Sequence, residues 1–406
     1  MPSATGWSGS DDKLSGRASP RPLDDPQAMR HAGPDLLSLA LIDARNALLA
    51  LLAHDETPAP LRIAARAGWF QEYWIARHVQ RHRGEACDTA APRLAGIEPR
   101  IEAWLSPRAE APPAQALRGY LADSLEITLE LLAALPAQEA DDRTLHVYRN
   151  SLLHEDRLTE TLAERLQQGS APARTERDAL WQPAQRWRLG SERGGEPDGQ
   201  ACGLVPHNER WAHEVVVPEF EIDAQAVNWA RYVEFADDSG YDRRELWSDD
   251  GWTWVQTEGR RAPGGVEQLH GGVLVARGGK AAGLQRAAAA QPAVHVTRHE
   301  AEAWCRWAGR RLPTEPEWEI AASRGAGRGF VWGDVFEWVG GSARAWPGAG
   351  DPAPGALDPV PPREAGYGVL RGGSWATRAR WKHPKARRFI APAHDGAFSG
   401  FRSCAL

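Results

Sequence analysis

The chain has 406 residues, enough for two domains of ordinary size, with 48 basic and 54 acidic side chains and a net charge of −6. No basic block stands out, which argues against nucleic acid or an anionic membrane surface as a partner, and no apolar run reaches the roughly 18 residues of a membrane span. The polar start lacks the apolar core of a signal peptide, and Cys87, Cys202, Cys305 and Cys404 form no CxxC pair, so reduced thiols in a cytoplasmic protein are expected.

Residues 1–33 are rich in Ser, Gly, Asp, Pro and Arg without periodicity, which predicts a disordered arm. Helical spacing then begins. Leu36, Leu37, Ala40, Leu41, Ala44, Leu48, Leu51 and Leu52 mark one stripe, broken at Pro58 and Pro60. A second helix is predicted over 61–83, ended by Gly84, and a short one over 97–105. Two more are predicted over 113–135 and 144–168, the last closed by Gly169. Long helices joined by short polar loops imply an up-down helical bundle over 34–168.

Residues 169–205 read as a connection that merges into the start of a second unit, which occupies 206–406. There the punctuation changes to short β-prone pieces, many glycines and most of the chain's 19 tryptophans. This composition implies an irregular α+β domain. The Gly- and Ala-rich segment 264–290 reads as a loop. The run 295–322, HVTRHEAEAWCRWAGRRLPTEPEWEIAA, holds two capping boxes, Thr297-x-x-Glu300 and Thr314-x-x-Glu317, with Gly309 stopping the first helix.

Chemistry is sparser. On the last long helix Val147, Ser151, His154, Leu158 and Leu162 share a stripe, which turns His154 toward the bundle interior. There it is either a metal ligand projecting from a helix or a buried imidazole bonded to a neighbouring helix. Arg371 and Arg402 read as partners of buried carboxylates, and Arg388 divides evenly between such a role and binding. There is no Walker loop, GxSxG or HExxH, and no catalytic residue is assigned.

The segments GWFQEYWIAR, SLLHEDRLTE, GLVPHNERWAHEV, WGDVFEWV, VLRGGSWATR and FSGFRSCAL, together with 295–322, resemble the selenoneine-synthase and ergothioneine-type sulfoxide-synthase family. The resemblance covers most of 35–406. It implies a DinB-like four-helix bundle fused to a C-type-lectin-like α+β domain of the formylglycine-generating-enzyme (sulfatase-modifying) type. It also implies non-haem Fe(II), O2, hercynine (trimethylhistidine) and a selenosugar or thiol donor. WFQEYWIAR and GFRSCA are most similar to the selenoneine synthases.

Trp375 and Phe389 are then candidates to hold the trimethylammonium by cation–π contact. Arg388, Phe389 and Ile390 stand where one ergothioneine-synthase subgroup has Asn-Trp-Asp, and Trp346-Pro-Gly stands where Tyr-Pro-Gly is frequent. Arg388 and Trp346 are therefore also candidate substrate contacts, in a donor pocket of different shape. The family's three iron-binding histidines fall on Arg66, His154 and Leu158. A guanidinium stays protonated and an isobutyl group has no lone pair, so only His154 remains a ligand of the implied Fe(II). A metal-free binding or regulatory relative, and a synthase with a remodelled site, stay open beside the iron enzyme.

Overall fold

The computed structural model describes residues 21–192, 203–270, 272–278, 282–352, 354–357, 359–361 and 365–406. The first 20 residues of the expected arm lie outside these. Its last part is ordered: α1 (Pro26–Arg30) is capped by the Asp25 carboxylate, and Met29 is fully buried.

The helical part is built from α2 (Pro34–Leu52), α3 (Pro58–Gln71), the short α4 (Ile101–Leu105), α5 (Ala114–Ala133) and α6 (Asp142–Arg165). Pro34 and Pro58 occupy first-turn positions, where the missing N–H does no harm. The four long helices pack on one another; of the predicted α2 stripe, Leu37, Ala40, Leu41, Ala44, Leu48 and Leu52 are fully buried in their core and Leu36 and Leu51 partly so. The expected helix over 61–83 is interrupted. After Gln71 the chain forms a π-helical turn over Glu72–Ala76, closed by Arg77 N–H donating to the Glu72 carbonyl at 2.8 Å.

The remainder mixes short strands and helices. β1 (Leu180–Gln182) pairs with β4 (Phe220–Ile222), and β2 (Gln185–Leu189) with β3 (His213–Val217), so strands begin inside the expected connection. Between them and the next sheet lie α7 (Trp229–Asp237) and α8 (Asp249–Glu258). The segment read as a loop instead holds an antiparallel sheet of β5 (Val266–Gln268), β6 (Val273–Arg277) and β7 (Gly283–Ala287). Val273 and Val275 supply β-branched residues on one face of β6, and the Gly and Ala content hid that alternation.

α9 (Arg298–Trp307) and α10 (Glu315–Arg324) start at Thr297 and Thr314, each with both bonds of its capping box. Gly309 follows α9 at φ 63°, a left-handed position that a Cβ would strain. A central sheet runs β10 (Arg387–Ile390), β9 (Gly368–Gly372), β8 (Phe336–Ser342) and β11 (Ser399–Phe401), with β11 parallel to β8 and the other pairs antiparallel. Arg371 meets Glu319 at 2.5 Å, and Arg402 meets Glu337 at 2.5 and 2.7 Å, so both arginines hold buried carboxylates. No helix among the described residues is long and apolar enough to cross a membrane.

Candidate functional site

α6 connects the two parts of the molecule. Asp141 caps it, accepting Thr144 N–H at 2.7 Å, and its side chains are used on nearly every side. Glu155, not His154, reaches the middle of the helical core. It accepts Arg45 at 2.6 Å and Gln71 at 2.9 Å, and Arg45 also donates to the Gln71 amide oxygen at 2.9 Å. His154, expected to turn into the bundle interior, is partly buried and meets Phe70 of α3. Its ring lies on Phe70, with centroids 4.0 Å apart and planes 15° apart. Burial and then the nearby Arg66 charge push the imidazole down to about 3. Its Nδ1 is buried and has no hydrogen-bond partner among the described residues.

The residues at the position implied for iron do not fit Fe(II). Arg66 presents a permanent cation toward His154, Leu158 packs with the apolar cluster of Leu48, Leu52 and Leu162, and one imidazole is left. Fe(II) needs about three donors in a facial set, and a guanidinium beside a divalent cation adds repulsion. Among the described residues no group of three or more His, Cys, Asp or Glu side chains is arranged to hold a metal ion.

A second face of α6 carries Asp156, Glu160 and Glu164, spaced four residues apart and so aligned. This acidic stripe meets the 374–388 segment. Asp156 takes Arg380 at 2.6 and 2.9 Å and Trp381 Nε1 at 2.7 Å; Glu160 takes the hydroxyls of Ser374, at 2.8 Å, and Thr377. Glu164 takes Arg388 at 2.5 and 2.9 Å. The stripe was visible in the sequence as a charge pattern, yet on a helix such a pattern usually means a solvated face.

The four candidate substrate contacts separate into groups. On β10 successive side chains alternate faces, so Arg387 and Phe389 point one way and Arg388 the other. The Arg387 guanidinium lies 4.1 Å from the Trp346 ring centroid and 4.8 Å from that of Phe389, while pairing with Glu315 at 2.7 and 2.9 Å. Trp346 and Phe389 thus share a cation supplied by the protein itself. Trp375 stands elsewhere. Its ring is 3.9 Å from Phe398, and its Nε1 donates to the Gln168 carbonyl at 3.0 Å. Trp375 and Phe389 therefore do not form one cage.

Two concave regions flank this framework. The first is an apolar cleft at the C-terminal end of α6, where Trp375, Phe398, Trp229, Val294 and His295 line the wall. The second is a crevice between the helical part and the central sheet, with Leu153, Arg157, Arg380, Arg387 and His383 on its walls. There Arg30 pairs with Glu209 at 2.7 Å, and burial with the charges of Arg30, Lys385 and Arg371 pushes His383 down to about 2. His383 is thus a neutral ring whose Nδ1 accepts Lys385 N–H at 3.2 Å and lies 3.6 Å from the Glu209 carboxylate. Sequence reading missed it, because its surroundings come from segments far apart in the chain.

A helical unit clamped through ion pairs to a capped, tryptophan-rich α+β unit defines the class. Residues 188–337 match the family model of the sulfatase-modifying factor enzyme 1-like domain. Over 371 residues the chain is 30% identical to a hercynine oxygenase of Mycobacterium tuberculosis, covering 77% of this chain and 83% of that one. It is 29% identical over 445 aligned positions to a hercynine oxygenase of Mycolicibacterium thermoresistibile, covering 90% and 94% of the two chains. A formylglycine-generating enzyme of Streptomyces coelicolor is 61% identical over 44 residues, 11% of this chain and 14% of that one. The chain belongs to the ergothioneine-type sulfoxide-synthase family, with its formylglycine-generating-enzyme-like domain in the C-terminal part.

Proposed function

We propose that this protein recognises hercynine and serves the oxygen-dependent joining of a selenium or sulfur atom to the hercynine imidazole. The observation that carries this reading is the similarity to hercynine oxygenases along most of both chains. A selenosugar is the preferred donor, on the resemblance of WFQEYWIAR and GFRSCA to selenoneine synthases; a thiol is the alternative. In this reading the helical part is a DinB-like bundle spanning 34–168, residues 169–205 lead into the domain of 206–406, and the protein is cytoplasmic.

The aromatic cleft supports a place for the trimethylammonium group, because the Trp375 and Phe398 faces attract a cation without hydrogen-bonding it. Arg387, held by Glu315 and the Asn208 carbonyl with Trp346 and Phe389 stacked about it, shapes the wall of the other crevice, where the donor would lie.

A second reading is favoured by Arg66 and Leu158: a metal-free relative that binds hercynine and does not turn it over. Calorimetry with hercynine, followed by mass spectrometry of reactions with a selenosugar or a thiol under O2, separates the two. Binding with a carbon–selenium or carbon–sulfur product supports the first. Binding without product, with or without added Fe(II), supports the second. Failure to bind hercynine overturns both.

A further inference from the structure

Where α6 passes the π-helical turn, the two segments run antiparallel. Thr144 Oγ1 donates to the His82 carbonyl at 3.4 Å at one end, and His154 stacks on Phe70 at the other. Between these limits Tyr148, Ser151 and His154 follow one another at three-residue steps on one face of α6, about 4.5 Å of rise apart. Opposite them stand Phe70, Trp74 and His78, each four residues from the next, with ring centroids 6.2 and 5.7 Å apart.

This seam concentrates unmatched polar atoms. Both ring nitrogens of His78, the Tyr148 hydroxyl, Ser151 Oγ and His154 Nδ1 are buried without a well-formed hydrogen bond among the described residues. His78, Tyr148 and Ser151 are at most 1% exposed. The Tyr148 hydroxyl faces the Arg81 guanidinium, whose charge and hydrogen bonding offset part of the upward push that burial gives its pKa. Leaving one such group dry costs roughly 1–3 kcal/mol, and buried polar groups are satisfied in nearly every folded protein, so several in one seam call for a common partner. The groups are neutral hydroxyls and imidazoles that both donate and accept. With the Arg66, Arg81 and Arg93 cations beside it, that mixture repels a metal ion and suits water, which needs two to four such neighbours.

The π-helical turn explains why the seam exists. Its extra residue per turn rotates Trp74 and His78 relative to an uninterrupted α3, and it is pinned by Glu72, which accepts Tyr120 OH at 2.6 Å and Ile97 N–H at 2.5 Å. The indole of Trp74 is covered in turn by Gly355, whose carbonyl accepts the Asn150 amide at 2.7 Å.

We propose that this seam is an internal water site: a short file of ordered waters bridges His78, Tyr148 and Ser151 to Nδ1 of His154. The file fixes the ring orientation of His154 from behind, which makes Tyr148 and Ser151 positioning residues. The inference stands apart from the reading of hercynine as ligand, since it concerns the free protein.

The test is a double-mutant cycle on Tyr148→Phe and Ser151→Ala, read by urea denaturation, with the imidazole 15N shifts of His154 measured in each protein. The expected result is a loss of stability in each single variant, a double variant that loses less than the sum, and a His154 15N shift that moves in Ser151→Ala. Strictly additive effects, or a gain in stability in either single variant, overturn the proposal, because a dry, isolated hydroxyl is better removed. A high-resolution crystal structure is a second test that needs no variant: water density within hydrogen-bond distance of Ser151 Oγ and His154 Nδ1 supports the file, and a dry seam ends it.

Discussion

Arg388 on β10 and Glu164 on α6 form a two-point ion pair, 2.5 and 2.9 Å long, across the junction of the two parts of the molecule. The two residues are 224 positions apart in sequence. The side chains are 17% and 5% exposed, so this pair is much less screened than a surface salt bridge. Removing one partner strands the other. Arg388→Met should lower stability by roughly 2–4 kcal/mol, somewhat below the usual penalty for a fully buried pair. Chemical denaturation of the single variants and of Arg388→Met with Glu164→Leu checks this. A loss under about 0.5 kcal/mol for the single variant, the range of an ordinary surface substitution, would show that Arg388 does not hold the junction.

The metal position gives a gain-of-function prediction. Arg66→His with Leu158→His restores three imidazoles on neighbouring helices, and the guanidinium that repels a dication is gone. The double variant should take up about one equivalent of Fe(II), the three donors being what that ion needs, and the wild-type protein none at this position. Equilibrium dialysis with metal analysis decides it. Stoichiometric uptake by the wild-type protein that survives His154→Ala would place its metal elsewhere.

Acid should destabilise the fold through buried neutral histidines. His146 is held down to about 4 from 6.5, chiefly by burial, with Arg210 and Arg149 opposing protonation and Glu85 favouring it. Its folded value is depressed, so the unfolded chain takes the proton first as pH falls. The contribution is fully present above pH 6.5 and is lost progressively down to about pH 4. The slope is about 1.4 kcal/mol per pH unit for this one group. Urea midpoints at pH 7, 6 and 5 should fall in the wild-type protein and fall less steeply in His146→Gln. Parallel slopes in the two proteins would remove His146 as a source of the acid sensitivity.

Local chemistry was legible in the sequence wherever one segment decides its own structure. Thr297 and Glu300, or Thr314 and Glu317, are neighbours on the chain, and both capping boxes form as their spacing requires. The α2 stripe was legible for the same reason. What escaped depends on partners from afar. The Asp156, Glu160 and Glu164 stripe cannot be distinguished from a solvated face until Arg380, Thr377 and Arg388 arrive from more than 200 residues away. The π-helical turn escaped because Glu72–Ala76 carries no breaker; Tyr120 and the Ile97 amide hold it from other elements. Phe389 and Trp375 looked like one cage because their aromatic character is visible in sequence, while the strand face of Phe389 and the turn that carries Trp375 away are not.

The interior of the helical part supplies the sharpest stability test. Arg45 and Glu155 are 3% and 1% exposed in their side chains, and Gln71 closes the triangle between them. A charge pair this deep gains little over apolar packing, since desolvation of both ions offsets most of their attraction, but half a pair is severely unfavourable. Arg45→Met should therefore cost roughly 3–5 kcal/mol by leaving the Glu155 carboxylate buried beside an amide that satisfies only part of it. Arg45→Met with Glu155→Leu should recover most of that loss, with Gln71 then the remaining liability and Gln71→Leu the variant that relieves it. If the double variant is as unstable as Arg45→Met alone, the pair contributes net stability, and the core depends on its charges in a way that desolvation does not predict.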